Sequence, residues 1–288
     1  MSSPSDVRTS PIAGAWYPGA PRDLERAVDE MLARVPHAPM PGELRALIAP
    51  HAGLAYSGQT AAYAYRQIAP RDFDTVILLG PSHYEDFGAF AISAKKFYAT
   101  PLGNVELDAE IIAALARRVK LNRVEIDREH SLEIQLPFLQ CALKNFTIVP
   151  IMLSRPFYLI GADAYKFCQD LSFALAELLK PRRALIIASS DLSHLNDYAA
   201  VKEYDARFAE LVAAFDIAAL VEYMQQDAEC RACGDSAVIT ALLAAKQLGA
   251  NQTRVLHLTN SGDVTGMRDP SQYTVGYMAA GVYRKQNS

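Results

Sequence analysis

The sequence predicts an α/β protein whose mainly parallel sheet is sandwiched between helices, on two observations. Apolar runs of strand length, Leu44 to Ala49, Thr75 to Leu79, Phe146 to Leu153 and Ala184 to Ala188, alternate with stretches of helical periodicity. Within each run apolarity is continuous where a half-exposed strand would alternate, and that is what strands covered on both faces require.

The elements follow in order. Arg22 to Val35 places Leu24, Val28, Leu32 and Val35 at helical spacing with acidic residues on the other face, an amphipathic helix. His37 to Gly42 holds two prolines and a glycine, then Leu44 to Ala49 forms the first buried strand. A helix from about Gly58 to Ile68 precedes the strand Thr75 to Leu79, and another runs from about Asp108 to Val119. Phe146 to Leu153, a helix over Asp163 to Leu179, and Ala184 to Ala188 continue the alternation. The segment Gly234-Asp-Ser236 opens a helix over Ala237 to Leu248. Tyr273 to Tyr283, rich in small and aromatic residues, suits a late antiparallel strand. No linker rich in Gly, Ser or Pro divides the chain, so residues 1–288 are expected to form one domain.

Composition narrows the function. With 288 residues, 51% apolar side chains and 21% charged ones, the chain can bury a large core. The formal charge of −4 comes with no basic stripe and interleaved aromatics, so nucleic acid is not an expected partner. Neither a signal-peptide run nor a membrane-length apolar segment is found, and a cytoplasmic location is expected. Cys141, Cys168, Cys230 and Cys233 are too few and too unevenly spaced for a disulfide framework; those that matter should act as thiols.

Three strands run directly into polar signatures: Ile48-Ala-Pro-His-Ala-Gly53, Leu79-Gly-Pro-Ser-His83 and Ala188-Ser-Ser-Asp-Leu-Ser-His194. In an open α/β sheet the carboxyl ends of neighbouring strands face one crevice, so His51, His83 and His194 are expected to converge. Pro50 and Gly53 bracket His51, and Gly80 and Pro81 precede His83, which sets both rings on tight strand-to-loop turns. Two imidazoles need a further donor to hold a metal firmly. Cys233 is the chosen third ligand, since a thiol at a helix N-terminus ionises more readily and the thiolate binds metal. The rival pairing of Cys230 with Cys233, as a redox dithiol or half a zinc knuckle, lacks a second pair of ligands nearby. His130 lies ahead of a helix expected to begin near Ser131, with Glu133 one turn on as a carboxylate partner. Asp191 and His194 stand three residues apart, a spacing at which a carboxylate can orient an imidazole for acid–base work.

Taken in order, A-P-H-A-G at 49–53, G-P-S-H at 80–83, E-H-S-x-E at 129–133, S-S-D-x-S-H at 189–194, the C-G step at 233–234 and Gly14-Ala-Trp-Tyr17 resemble the Memo family over nearly the whole chain. That family is similar to the class III extradiol (LigB-type) dioxygenases. The resemblance implies a three-layer α/β/α sandwich with a mixed, mainly parallel central sheet. It implies a mononuclear metal held by His51, His83 and Cys233, the thiolate standing where the dioxygenases have a carboxylate. It also implies an acid–base role for His194 with Asp191 as partner, and a place near the substrate for His130. The thiolate softens the site, so copper or zinc compete with iron. Animal members are described as redox-active copper or iron binders that engage phosphorylated receptor peptides. Microbial members are often encoded beside radical SAM and AMMECR1-like proteins.

Three functions compete on these residues. The first is a metal-dependent, dioxygenase-like oxidoreductase, and the second a non-catalytic module that binds a small molecule or peptide in the same crevice. The third is a metal-assisted hydrolase with a bound water as nucleophile.

Overall fold

The computed structural model describes residues 6–36, 42–69, 71–154, 162–226 and 232–285. Cys230 and most of the proline-rich stretch after His37 lie outside them. The strands are β1 (Val7–Arg8), β2 (Glu43–Ala49), β3 (Thr75–Pro81), β4 (Phe90–Ser93), β5 (Phe97–Thr100), β6 (Gly103–Glu106), β7 (Leu121–Val124), β8 (Thr147–Leu153), β9 (Ala184–Ser189), β10 (His194–Leu195), β11 (Gln252–Asn260) and β12 (Thr274–Arg284). The helices are α1 (Pro21–Ala33), α2 (Gln59–Tyr65), α3 (Ala109–Ala116), α4 (Leu136–Ala142), α5 (Ala162–Leu179), α6 (Tyr198–Ala214), α7 (Ile217–Gln226), α8 (Asp235–Gln247) and α9 (Ser261–Thr265).

A large mixed sheet runs in the order β10-β12-β2-β9-β3-β8-β4-β7, with β11 also paired to β12, and β1, β5 and β6 make a small second sheet. Its centre, β2, β9, β3 and β8, is parallel throughout. The expected late strand is present and antiparallel to β2. Helices flank the sheet on both faces: α2 lies on β2, β11 and β12 with α1 and α4 beside it, and α8 covers β9 and β3 with α5 and α7 beside it. The α/β/α architecture expected from the sequence is therefore the one observed. Among the described residues no helix is long and apolar enough to cross a membrane.

Local chemistry explains the main elements. α1 starts at Pro21, whose fixed φ suits a first helical position, and buries Leu24 and Val28 completely. β3 is buried at every position and β8 at all but its first, the burial that continuous apolar runs demand. α8 has no polar face to speak of. From Asp235 to Leu242 it is buried without interruption, and its alanines let it pack closely on β9 and α5.

The structure also holds elements without a sequence expectation. β4, β5, β6 and β7 are four residues each, too short for periodicity to register. β11 mixes threonine, arginine and histidine with valine and leucine on a half-exposed edge. The helix expected from about Gly58 begins at Gln59, and a π-helical turn without a sequence expectation, Leu54–Gly58, leads into it. That turn is tied down by Leu54 N–H to Trp16 O at 2.9 Å and Ser57 Oγ–H to Ala52 O at 2.9 Å. π-turns of this kind occur often at functional sites.

Candidate metal centre

β2, β9 and β3 lie side by side in parallel, with Ala49 opposite Ser189 and Leu79 opposite Ala188. Their carboxyl ends stop at one level, so His51, Asp191 and His83 leave the sheet together. Two glycines permit the close approach of other segments. A Cβ on Gly80 would meet Ser131 Oγ at 2.7 Å, and one on Gly234 would meet Ser189 O at 2.3 Å. The first brings the loop bearing Glu129 and His130 against β3, and the second presses Cys233 onto the end of β9.

The hydrogen bonds fix the imidazole tautomers. Ser189 Oγ spends its single proton on Ser131 O (2.7 Å) and accepts from Gln135 Nε2 (2.8 Å). Its remaining acceptor capacity faces His51 Nδ1 at 2.9 Å, so Nδ1 carries the ring proton and Nε2 is bare. His83 Nδ1 lies 2.9 Å from Glu129 Oε1, and the His83 backbone N–H donates to Oε2 at 2.7 Å. His194 Nδ1 donates to Leu192 O at 2.7 Å, a group that can only accept. Each of these rings thus presents Nε2 as a lone pair, the form that ligates a metal or takes up a proton.

The sulfur of Cys233 lies 3.0 Å from His51 Nε2. His51, His83 and His130 have donor atoms all within 4.8 Å of one another; Cys233 is outside that set and reaches it through His51. The His51 and His83 rings stand edge to face at 5.2 Å. Burial, and next the Asp191 carboxylate, push the Cys233 thiol well above its ordinary range. This corrects the expectation of easy ionisation at a helix start: burial disfavours the thiolate first, and the Asp191 and Asp235 carboxylates add negative charge beside the sulfur. Burial and the neighbouring His83 lower His51, and burial and His51 lower His130, so both rings are neutral.

Two expected pairings are replaced. Glu133 does not partner His130, because Glu133–Gln135 forms a 3₁₀ turn before α4 and the anticipated helical face is lost. Glu133 instead accepts from Tyr17 OH at 2.6 Å and pairs with Arg8 and Ser10. His130 stacks on His83 at 4.5 Å and meets Trp16 at a tilt at 4.3 Å, with Nδ1 3.1 Å from Tyr84 OH. Likewise Asp191 accepts the backbone N–H groups of His51 (2.7 Å) and Ala52 (3.3 Å), while His194 sits in β10 opposite Val275 with its Nδ1 on Leu192. The irregular turn between β9 and β10 sends the side chains of residues 191 and 194 to different partners.

Glu129 is the carboxylate that sequence reasoning missed, although it stands directly before His130 in E-H-S-x-E. Burial acts to raise its carboxyl, but the side-chain and backbone hydrogen bonds from His83 prevail and hold it below the usual range. Arg8, from the far end of the chain, reaches Glu129 O and pairs with Asp127 Oδ2 at 2.9 Å, clamping the same loop. No local motif marks Arg8 or Ser189 for these roles.

Asp205 of α6 supports the turn that carries His194, accepting Ser193 N–H at 3.0 Å. Its other oxygen has no partner among the described residues and lies where a Cβ on Gly276 would stand, 1.6 Å away. Burial raises this carboxyl from the ordinary 3.8 to about 7. Because the folded value is the higher one, the unfolded chain loses its proton first and stability falls as pH rises from 4 to 7. Asp205→Asn removes that cost, so its stability relative to the native chain is expected to improve by about 2–4 kcal/mol between pH 4 and pH 8. Urea unfolding at both pH values checks this; a gap that does not change with pH sinks it.

In front of the rings lies a cavity of about 470 Å³, walled by Trp16, His51, Tyr56, His83, His130, Asp191, His194, Tyr273 and Tyr277. A second cavity of about 400 Å³ touches the other side of His83 and is walled by Cys233 and the start of α8.

Strand-end imidazoles with protons parked on protein acceptors, a thiol against one of them and a cavity in front define an α/β protein with a candidate metal site at the carboxyl edge of its sheet. The family model for Memo-like proteins matches residues 8–281. The chain is 32% identical to the "MEMO1 family protein" of Nitrosopumilus maritimus, over 95% of this chain and 98% of the other. It is 31% identical to the "MEMO1 family protein" of Thermotoga neapolitana (95% and 99%) and 30% identical to the "Protein memo-1 homolog" of Caenorhabditis elegans (92% and 80%). The chain belongs to the Memo family.

Proposed function

We propose that the chain is a metal-dependent oxidoreductase in which His51, His83 and Cys233 hold one metal ion and His194 moves protons at the cavity floor. The observation that carries this reading is the pair of bare Nε2 atoms on His51 and His83, each with Nδ1–H held by Ser189 or Glu129, beside a sulfur 3.0 Å from one of them. Such carboxylate- or hydroxyl-backed imidazoles are how proteins orient metal ligands. A divalent cation also inverts the thiol's preference, since a coordinating thiol is deprotonated outright. Bound iron or copper would supply one-electron redox chemistry here, and zinc only Lewis acidity.

The chain's own residues do the rest. Glu129 and Ser189 hold the two rings in register, and Asp191 fixes the His51 turn through two N–H groups. His194 presents its bare Nε2 as a base. His130, between Trp16 and His83, stands at the ligand side and is the rival third donor. We assign the third position to Cys233 because its sulfur already lies 3.0 Å from His51 Nε2 and a thiolate adds a negative charge that a third imidazole does not. A binding module is the second reading, favoured by a cavity that is already formed with aromatic walls.

Protein purified anaerobically from cells supplied with iron and copper is expected to carry about one metal per chain, and His51→Ala none. Cys233→Ser should lower affinity at least tenfold and His130→Ala far less. Metal-free native protein, or equal binding by His51→Ala, overturns the centre; the reverse order of Cys233 and His130 reassigns the ligand. Aerobic turnover of catechols, lost in His194→Ala, separates the enzyme from the module.

A further inference from the structure

His83 is the one described residue that lines both cavities of the site. The front cavity reaches His51 and not Cys233; the back cavity reaches Cys233 and not His51. A metal held by these three side chains therefore sits in the partition, with its imidazole side to the front and its sulfur side to the back. The sulfur is not sealed off: Cys233 is half-buried, and the back cavity is the one that touches it.

The two cavities differ in chemistry. The side walls of the front one are the rings of Trp16, Tyr56, Tyr273 and Tyr277, and its donors stand only at the floor. The back one is lined with oxygen from mouth to floor. Glu85 and Asp86 are exposed at its mouth, Ser82 and Ser154 follow, and Asp235 and Ser236 lie beside the sulfur. Among the described residues lining it there is no lysine or arginine. A divalent cation arrives wrapped in water and must exchange that water for protein ligands. Hydroxyl and carboxylate oxygens allow the exchange in steps, whereas a wall of rings strips water without replacing all of it. Carboxylates at a mouth also raise the local concentration of cations. At about 400 Å³ the back cavity has room for on the order of ten waters, enough for an ion with its inner hydration shell.

We infer that the metal ion enters and leaves the centre through the back cavity, past Glu85, Asp86 and Ser154 to the Cys233 sulfur, and that the front cavity is not its route. The inference rests on the functional reading above and adds to it a division of labour. The front is left to the organic ligand, so the metal exchanges whether or not that ligand is bound.

Metal-stripped full-length chain is mixed anaerobically with Co²⁺, and the sulfur-to-cobalt charge-transfer absorption times arrival at Cys233. Release is timed into EDTA and extrapolated to zero chelator. Ser154→Trp fills the back cavity; Ala55→Trp, at an exposed position on the front rim, narrows the other. Ser154→Trp should slow arrival and release alike, each by about tenfold, with the equilibrium affinity within about threefold of native. An obstructed passage changes both rates, whereas a lost ligand acts mainly on release. Ala55→Trp should leave both rates within about twofold. Glu85→Gln with Asp86→Asn, both exposed, should slow arrival about threefold at low salt, and added salt should slow it in the native chain, so the route is tested even if Ser154→Trp does not fold. The salt dependence reads the summed field at the mouth, including Arg155 and Arg231, which lie outside the described residues. A native chain that takes up no Co²⁺ removes the centre and the route with it. Uptake that Ala55→Trp slows as much as Ser154→Trp, that no back-side variant slows, or that salt accelerates overturns the route and leaves the centre standing.

Discussion

Arg8→Met is expected to cost about 3–5 kcal/mol of unfolding free energy, the largest stability effect of any substitution considered for this chain. Arg8 is 3% exposed and its guanidinium faces Asp127 and Glu133, both buried, donates to Glu129 O and lies 4.4 Å from the Tyr98 ring centre. Methionine fills much of the volume but leaves two buried carboxylates without their cation, the situation in which breaking an ion pair costs most. For a chain of this length the melting temperature should fall by about 10 °C. Calorimetry on metal-stripped protein measures it, and a loss under about 1 kcal/mol rejects the clamp. Adding Glu133→Gln to Arg8→Met should recover part of the loss, because one uncompensated charge is then removed.

Glu129→Gln is expected to lower metal affinity by about 10–100-fold with the fold intact, the scale seen when the group behind a ligating histidine is altered. The two carboxylate oxygens of Glu129 take three N–H donors: His83 N on Oε2, and His83 Nδ1 and Ser131 N on Oε1. A glutamine can satisfy one side only, since its amide turns a donor toward another donor. Either His83 loses its Nδ1 acceptor and the ring is free to rotate or change tautomer, or the 82–83 turn loses its anchor. Competition with a chromophoric chelator reads the affinity, with circular dichroism as the control for folding. Affinity within twofold of the native chain rejects Glu129 as the group that orients His83.

The architecture was legible where local signals were long. Four buried strands, five helices and the late antiparallel strand announce themselves by apolar runs and periodicity of seven residues or more in most cases. β4 to β7 did not, because four residues give too few positions to separate a period of two from one of 3.6. The histidine-bearing turns were legible for a related reason. Each follows its own strand, so His51, His83 and His194 inherit their position from elements that the sequence marks clearly. Partners were a different matter. Glu133 looked like the companion of His130 only if a helix ran through Ser131, and the 3₁₀ turn removes that premise. Asp191 and His194 stand three residues apart in a Ser-rich turn, but Asp191 accepts from the His51 and Ala52 N–H groups while His194 Nδ1 turns to Leu192 O.

The sequence by itself determined an α/β sheet of buried parallel strands and the delivery of imidazoles to its carboxyl edge, since both follow from residue patterns within short windows. Tertiary structure alone decided which nitrogen of each ring holds its proton, which carboxylate stands behind His83, and why the Cys233 thiol is hard to ionise in the metal-free chain. Those properties depend on acceptors and charges brought from segments far apart in the chain, Ser131 to Ser189, Glu129 to His83, Asp191 to Cys233. A pattern along the chain does not encode a distance across it.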